Sequence, residues 1–110
     1  MTEVEALEQD RSNKQKLIDR AARAERLALN PDFKDLILRD FMVEECAAYA
    51  HTSANVSLTA EQRADALQFA QAPGILKRWL QVIVQMGQHA QGQMADLDNA
   101  ILEARQQEGE

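Results

Sequence analysis

The clearest hydrophobic pattern in the chain lies between Ile75 and Gln106. Apolar or small side chains recur there at alternating intervals of four and three residues, which is typical of a helix that packs along another helix through one narrow stripe. This stripe comprises Leu76, Leu80, Ile83, Gly87, Ala90, Met94, Leu97, Ile101 and Ala104. Trp79, Val82 and Met86 form a second apolar stripe beside its first half. The pattern predicts a long last helix with a heptad seam.

A second long helix is predicted near the start of the sequence, from about Glu3 to Leu29. Thr2 and Glu5 have the spacing of a capping box, in which each side chain binds the backbone N–H of the other residue. Residues 8–16 contain no apolar side chain, whereas residues 17–28 have one apolar face. We therefore expect residues 1–110 to form a single helical domain, with residues 1–16 as a solvated or partner-bound helical arm.

The next helix is predicted to begin at Pro31 and to end near Ala50. Pro31 disfavours helical geometry at the residue before it and suits the first position of a helix, while Asn30 suits the N-cap. This helix is apolar on more than one side, so we expect it to be central to the core. The predicted core residues are Phe33, Ile37 and Phe41 from this helix and Trp79 from the last helix.

A short helix is predicted between the helix that ends near Ala50 and the long last helix. Residues 51–57 have no hydrophobic period and are expected to form a loop. Thr59 and Gln62 form a second capping box, and the Pro73-Gly74 pair is expected to end the helix that the box begins. The sequence therefore predicts an all-α fold of about four helices, in which the first and the last are long.

Composition narrows the function classes. The chain has 110 residues, a net charge of −6, 45% hydrophobic residues and 5% aromatic residues. The hydrophobic content argues against wholesale disorder, and the acidic balance argues against nonspecific binding of nucleic acid. No stretch approaches the about 18 apolar residues of a membrane span, so we expect no membrane association. The single Cys46 cannot form an internal disulfide, and we interpret it as a buried thiol.

Residues with catalytic or metal-binding potential do not form a recognisable motif. His51 and His89 lack the spacing to other ligands that a metal site needs, and no Gly-rich phosphate loop is present. Asp40, Glu44 and Glu45 could form a carboxylate cluster, but a solvated acidic face is favoured. We assign no catalytic residue, no metal and no cofactor, and we expect that the protein is not an enzyme.

The first helix also carries a concentration of basic residues that could form a strip on its surface. These residues are Arg11, Lys14, Lys16, Arg20 and Arg23. Acidic residues are interleaved with them, so a solvated helix with internal salt bridges is favoured over a DNA-binding surface.

One segment resembles a known group of proteins. The matching residues are Arg26-Leu27-Ala28-Leu29-Asn30-Pro31-Asp32-Phe33-Lys34-Asp35-Leu36-Ile37-Leu38, continuing through Phe41 to Glu44-Glu45 and Ala47. Residues 26–50 resemble small acidic helical proteins encoded among the structural and morphogenesis genes of tailed bacteriophages. The resemblance implies a role in a phage particle or its assembly, and a location in the cytoplasm of the bacterial host or in the virion. It transfers no functional residue.

These observations favour a non-enzymatic phage virion or assembly protein that acts through helix–helix association with itself, as a homo-oligomer, or with capsid, portal or tail proteins. The predicted partner-binding residues are Leu80, Ile83, Gly87, Ala90, Met94, Leu97 and Ile101.

One alternative is an acidic regulator or inhibitor that occupies a nucleic-acid-binding site on a host protein. Another is a DNA-packaging component that binds DNA through the first helix. Both alternatives predict salt-sensitive binding, whereas apolar association should survive high salt. The pattern leaves open whether the seam is filled within one chain or between chains.

Overall fold

The computed structural model describes residues 2–109, and within that range it contains helices and connecting turns but no β-strand. Helix α1 is Glu3–Leu29, helix α2 covers residues 31–53, and helix α3 is Ala60–Gly109. Helix α2 is continuous but changes geometry twice, from the α-helical turn Pro31–Phe33 through the π-helical segment Lys34–Glu45 to the α-helical segment Cys46–Ser53. The prediction of an all-α fold with long first and last helices is confirmed.

The beginnings of the helices follow the capping chemistry that the sequence indicates. The Glu5 N–H donates to Thr2 Oγ1 (3.1 Å), and the Thr2 N–H donates to Glu5 Oε2 (3.3 Å). Asn30 caps α2 by accepting a hydrogen bond from the Phe33 N–H (3.0 Å). The Thr59 and Gln62 pair makes the same reciprocal bonds at the start of α3. Each cap satisfies backbone donors that have no partner within the helix.

The structure has three helices where the sequence predicts about four, because Pro73 and Gly74 lie inside α3. The prediction that these two residues end a helix is wrong. A proline inside a helix removes one backbone hydrogen bond and crowds the preceding turn, which costs about 3 kcal/mol but need not terminate the helix. Pro73 is buried, so its contacts offset part of this cost. The predicted loop at residues 51–57 also begins later, since α2 continues to Ser53.

The chain divides into two compact units. Unit 1 comprises Met1–Glu25 and Val82–Glu110, and unit 2 comprises Arg26–Gln81. In unit 1, the α1 and α3 segments run antiparallel, since Arg11 of α1 binds Asp98 and the earlier Glu8 binds the later Arg105. The buried apolar side chains of this unit are Ala21, Ile83, Ala90, Met94, Leu97, Ile101 and Ala104.

Unit 2 is built mainly from α2 and the first part of α3. The Cys46 thiol donates to the Ala70 carbonyl oxygen (3.2 Å), and Arg63 Nε donates to the Ser53 carbonyl oxygen (3.0 Å). The rings of Tyr49 and Phe69 lie 5.2 Å apart between their centroids. Among the described residues of this unit, burial is confined to small side chains at Ala66 and Pro73. Large apolar side chains of unit 2 therefore remain accessible to solvent.

Candidate functional site

The predicted partner-binding residues of the last helix fall in both units. Ile83, Gly87, Ala90, Met94, Leu97 and Ile101 are buried in unit 1, and Leu80 is half-buried in unit 2. Leu97 is 9% exposed and Ile101 is 6% exposed in a single chain. Because unit 1 contains only segments of α1 and α3, these side chains are covered by α1 of the same molecule.

The two helices of unit 1 approach each other closely at Gly87. A Cβ atom placed on Gly87 would overlap the Cβ of Ala21 and would lie 3.0 Å from the carbonyl oxygen of Leu17. Only glycine leaves room for two helix backbones at this distance. The contact explains why a residue that weakens a helix stands in the middle of α3.

Ion pairs between α1 and α3 flank the buried side chains of unit 1. Arg11 Nε lies 2.6 Å from Asp98 Oδ1, and Arg105 pairs with Glu8. Lys14 Nζ also lies 2.7 Å from Asp10 Oδ1 on the same helix. Each of these pairs is partly exposed and therefore contributes only about 0.2–1 kcal/mol to the stability of the fold. Two members of the predicted basic strip, Arg11 and Lys14, therefore have carboxylate partners.

The four predicted core residues all lie in unit 2. Phe33, Ile37 and Phe41 are half-buried, and Trp79 is 54% exposed. The large apolar side chains of unit 2 are thus half-buried or exposed, whereas Ala66 is buried.

An apolar surface that the sequence analysis does not single out lies on α2 and α3 of unit 2. Six large apolar side chains on these helix segments are between 50% and 69% exposed. They are Leu36, Val43, Leu67, Phe69, Ile75 and Trp79. Isolated exposed apolar residues are common on proteins, but two of these six, Val43 and Ile75, line the same groove, and apolar side chains that share one surface typically mark an interaction site. The one sequence signal for it is that residues 31–50 are apolar on more than one side.

Part of this surface forms an open groove of about 670 Å³ between the two helices. Leu38, Met42, Val43 and Cys46 of α2 form one wall. The α3 wall runs from Ala70 to Arg78 and includes the buried Pro73 and the exposed Ile75. Because the groove is predominantly apolar and open to solvent, it is better suited to a protein segment than to a small polar ligand.

The α3 wall of the groove carries positive charge at its end. Lys77 and Arg78 line the α3 side and are exposed. On α2, Glu44 and Glu45 are exposed but are not among the residues that line the groove.

A basic residue of α2, Arg39, is already paired within its own helix. Its Nε donates to Asp40 Oδ1 (3.0 Å), and its guanidinium lies 3.6 Å from Asp35 Oδ1. The hydrogen bond with Asp40, together with the negative charges of Asp40 and Asp35, raises the pKa of Arg39 above its ordinary value. The acidic face predicted for this helix is therefore partly neutralised by its own arginine.

Neither a metal-binding cluster nor a membrane-spanning helix is found among the described residues. Residues 2–109 contain no group of three or more His, Cys, Asp or Glu side chains arranged to hold a metal ion. None of the described helices has both the length and the apolar character needed to span a membrane.

Comparison with known proteins does not identify a relative. The chain matches no protein-family model, no curated protein and no solved structure.

Proposed function

We propose that this protein is a non-enzymatic assembly protein that acts through helix–helix association. The observation that carries the proposal is the set of large apolar side chains exposed on α2 and α3 of unit 2, in a unit whose described buried positions hold small side chains. Burying one such side chain contributes about 1.5–3 kcal/mol, so several together can offset the cost of association. Their partner is a second copy of this chain or another structural protein.

The resemblance of residues 26–50 to phage morphogenesis proteins supplies the setting for this proposal. In that setting the partners are the capsid, portal or tail proteins of a tailed bacteriophage, and the protein acts in the bacterial host or in the virion. The segment that carries the resemblance includes two of the exposed apolar side chains, Leu36 and Val43.

We propose a different role for the heptad-spaced residues of α3. Ile83, Met94 and Ile101 are buried against α1 in one chain, so these positions hold unit 1 together as a two-helix seam. The surface that binds partners then lies in unit 2. This assignment separates the residues that stabilise the fold from those that make intermolecular contacts.

Two salt-sensitive functions have less support. The partners of Arg11 and Lys14 reduce the positive charge that α1 could offer to DNA. The pairing of Arg39 with Asp35 and Asp40 likewise reduces the negative charge that α2 could offer to a nucleic-acid-binding site. Because both functions depend on unpaired charge, high salt would abolish the binding they require.

Light scattering after size-exclusion chromatography tests the proposed function. The full chain is measured alone and mixed with each purified capsid, portal and tail protein encoded beside its gene, at low and at high salt. We expect a complex that survives high salt. Ile75→Asp should weaken it by about 2 kcal/mol, or roughly thirtyfold, because the carboxylate resists burial.

Val56→Asp is the matched control for Ile75→Asp. Val56 is also apolar and is 84% exposed, but it lies in the turn between α2 and α3 and does not line the groove. This variant should associate as the wild type does. A chain that is monomeric alone and forms no complex with any of these proteins would rule out the proposed function.

A further inference from the structure

We infer that the groove of unit 2 binds an acidic amphipathic helix of a partner protein, with the apolar face of that helix between α2 and α3 and its carboxylates beside Lys77 and Arg78. The inference rests on the proposed function and states the chemistry of the partner surface. Three observations carry it: the exposed apolar side chains on both walls, the open space at Gly74, and the sign of the charges that line the groove.

The two walls of the groove come from helices that run antiparallel within unit 2. The Cys46 thiol of α2 donates to the Ala70 carbonyl oxygen of α3. Farther along α2, the Ser53 carbonyl oxygen accepts a hydrogen bond from Arg63, which comes earlier on α3. The α3 wall thus begins beside Cys46 at Ala70 and ends at Arg78, about 12 Å away at a rise of about 1.5 Å per residue. About two turns of a partner helix cover that length.

Exposed apolar side chains on opposite walls provide the contact for the apolar face of a partner helix. Val43 of α2 and Ile75 of α3 are 61% and 69% exposed and line the same groove. Leu38 and Met42 extend the α2 wall and are half-buried. A helix with apolar side chains at intervals of three and four residues presents them on one face, so it can contact both walls at once.

The groove also has room for the side chains of such a helix. Gly74 lines the α3 wall, and a Cβ atom added to it would meet no atom within 4 Å. Because this position has no side chain, an apolar side chain of the partner can approach the backbone of α3 there. The space at Gly74 therefore lies where a partner side chain would enter the groove.

The charges that line the groove are positive. Lys77 and Arg78 are exposed, and within residues 2–109 neither has an ion-pair partner. The sequence contains no acidic residue between Asp65 and Asp96, so α3 offers them no nearby carboxylate. No acidic side chain among the described residues lines the groove. A partner helix with carboxylates at the Arg78 end of the groove supplies the opposite charge.

The distribution of charge along the chain permits an acidic partner at unit 2. Residues 26–81 carry seven acidic and six basic side chains, so unit 2 is nearly neutral. Unit 1, by contrast, carries eleven acidic and six basic side chains. The repulsion that the chain exerts on an acidic segment therefore comes mainly from unit 1.

Two fluorescently labelled peptides of about 15 residues test the inference on the full chain. Both carry leucines on one helix face; one has glutamates at one end, and the other has lysines at the same positions. By fluorescence anisotropy we expect the wild type to bind the acidic peptide at least about tenfold more tightly than the basic one. Lys77→Glu combined with Arg78→Glu should reverse this preference. Because each protein is measured with both peptides, differences in helix content between the peptides cancel.

Arg26→Glu combined with Lys34→Glu is the matched control for the charge reversal. Both residues are basic and exposed and belong to unit 2, but neither lines the groove. This variant has the same net charge as the groove variant and should keep the preference of the wild type. High salt should narrow the preference without abolishing the binding of the acidic peptide, since salt screens the charges and not the apolar contact.

Two further measurements locate the bound peptide. Cys46 is the single cysteine and lines the groove, so saturating acidic peptide should slow its reaction with iodoacetamide. Gly74→Leu fills the open space and should weaken binding of the acidic peptide at least about tenfold. Gly92→Leu is its control, because Gly92 is exposed on α3 but does not line the groove. Both variants should fold, since a Cβ at either glycine meets no atom within 4 Å.

Three outcomes would overturn the inference: no greater affinity of the wild type for the acidic peptide than for the basic one, a preference that survives charge reversal at Lys77 and Arg78, or peptide binding that leaves the Cys46 reaction unchanged. Self-association that protects Cys46 without any peptide would make a second copy the occupant and would also overturn it. If the chain still forms an Ile75-dependent complex with a capsid, portal or tail protein, these outcomes reject the acidic helix alone. The absence of any such complex would reject the proposed function as well.

Discussion

Gly87 shows how one residue decides the packing of unit 1. Glycine inside a helix costs about 1 kcal/mol relative to alanine. At this position the missing side chain lets α3 lie directly against Ala21 and the Leu17 carbonyl oxygen. The gain in contact between the two helices offsets the weaker helix. The same residue type at Gly92 has no such role, because a Cβ added there would meet no atom within 4 Å.

Gly87→Ala should therefore lower the free energy of unfolding by about 1–3 kcal/mol, because the added methyl group forces the helices apart. Gly92→Ala is the matched control and should raise it by about 0.5–1 kcal/mol through higher helix propensity. Urea unfolding followed by circular dichroism measures both. Equal changes for the two variants would contradict the close contact at Gly87.

At the scale of the element, the helix starts were predictable and the helix interiors were not. The caps at Thr2, Asn30 and Thr59 depend on hydrogen bonds between residues three apart, so their spacing in the sequence is sufficient. The continuation of α3 through Pro73 depends instead on tertiary packing. The π-helical geometry of Lys34–Glu45 has no equivalent spacing rule, so it could not be predicted from the sequence.

The cap at the start of α3 gives a prediction for that element. Thr59→Ala should lower the free energy of unfolding by about 1 kcal/mol, because the Gln62 N–H loses its acceptor. Thr52→Ala is the control: its hydroxyl donates to the Ala48 carbonyl oxygen inside α2, and such bonds contribute little to a helix. Thermal unfolding compares the two variants. An unchanged melting temperature for Thr59→Ala would show that this cap is not important for stability.

For the whole molecule, burial is distributed unequally between the two units. Seven apolar side chains are buried in unit 1, whereas the large apolar side chains of α2 and α3 in unit 2 are partly or largely exposed. The heptad spacing identifies a stripe in the sequence, but it does not say which helix covers that stripe. The groove of unit 2 could not be located from the sequence, because its walls come from two helices whose pairing no local pattern specifies.

Hydrogen exchange should reflect this unequal burial. In dilute solution we expect the slowest exchange in residues 83–104 and faster exchange in residues 34–53, because local opening requires less free energy where few apolar contacts are buried. Mass spectrometry of peptic fragments measures both ranges in one sample. If residues 34–53 exchanged as slowly as residues 83–104 in the monomer, the stability of unit 2 would not depend on a partner.

The uneven charge of the two units also limits how large an assembly can become. Every chain that joins a complex adds the acidic excess of unit 1, even when its nearly neutral unit 2 is fully engaged. This repulsion accumulates with each subunit and favours small closed complexes over open-ended growth. Lowering the pH toward the isoelectric point of about 4.9 removes this electrostatic repulsion between subunits, so larger particles should then appear.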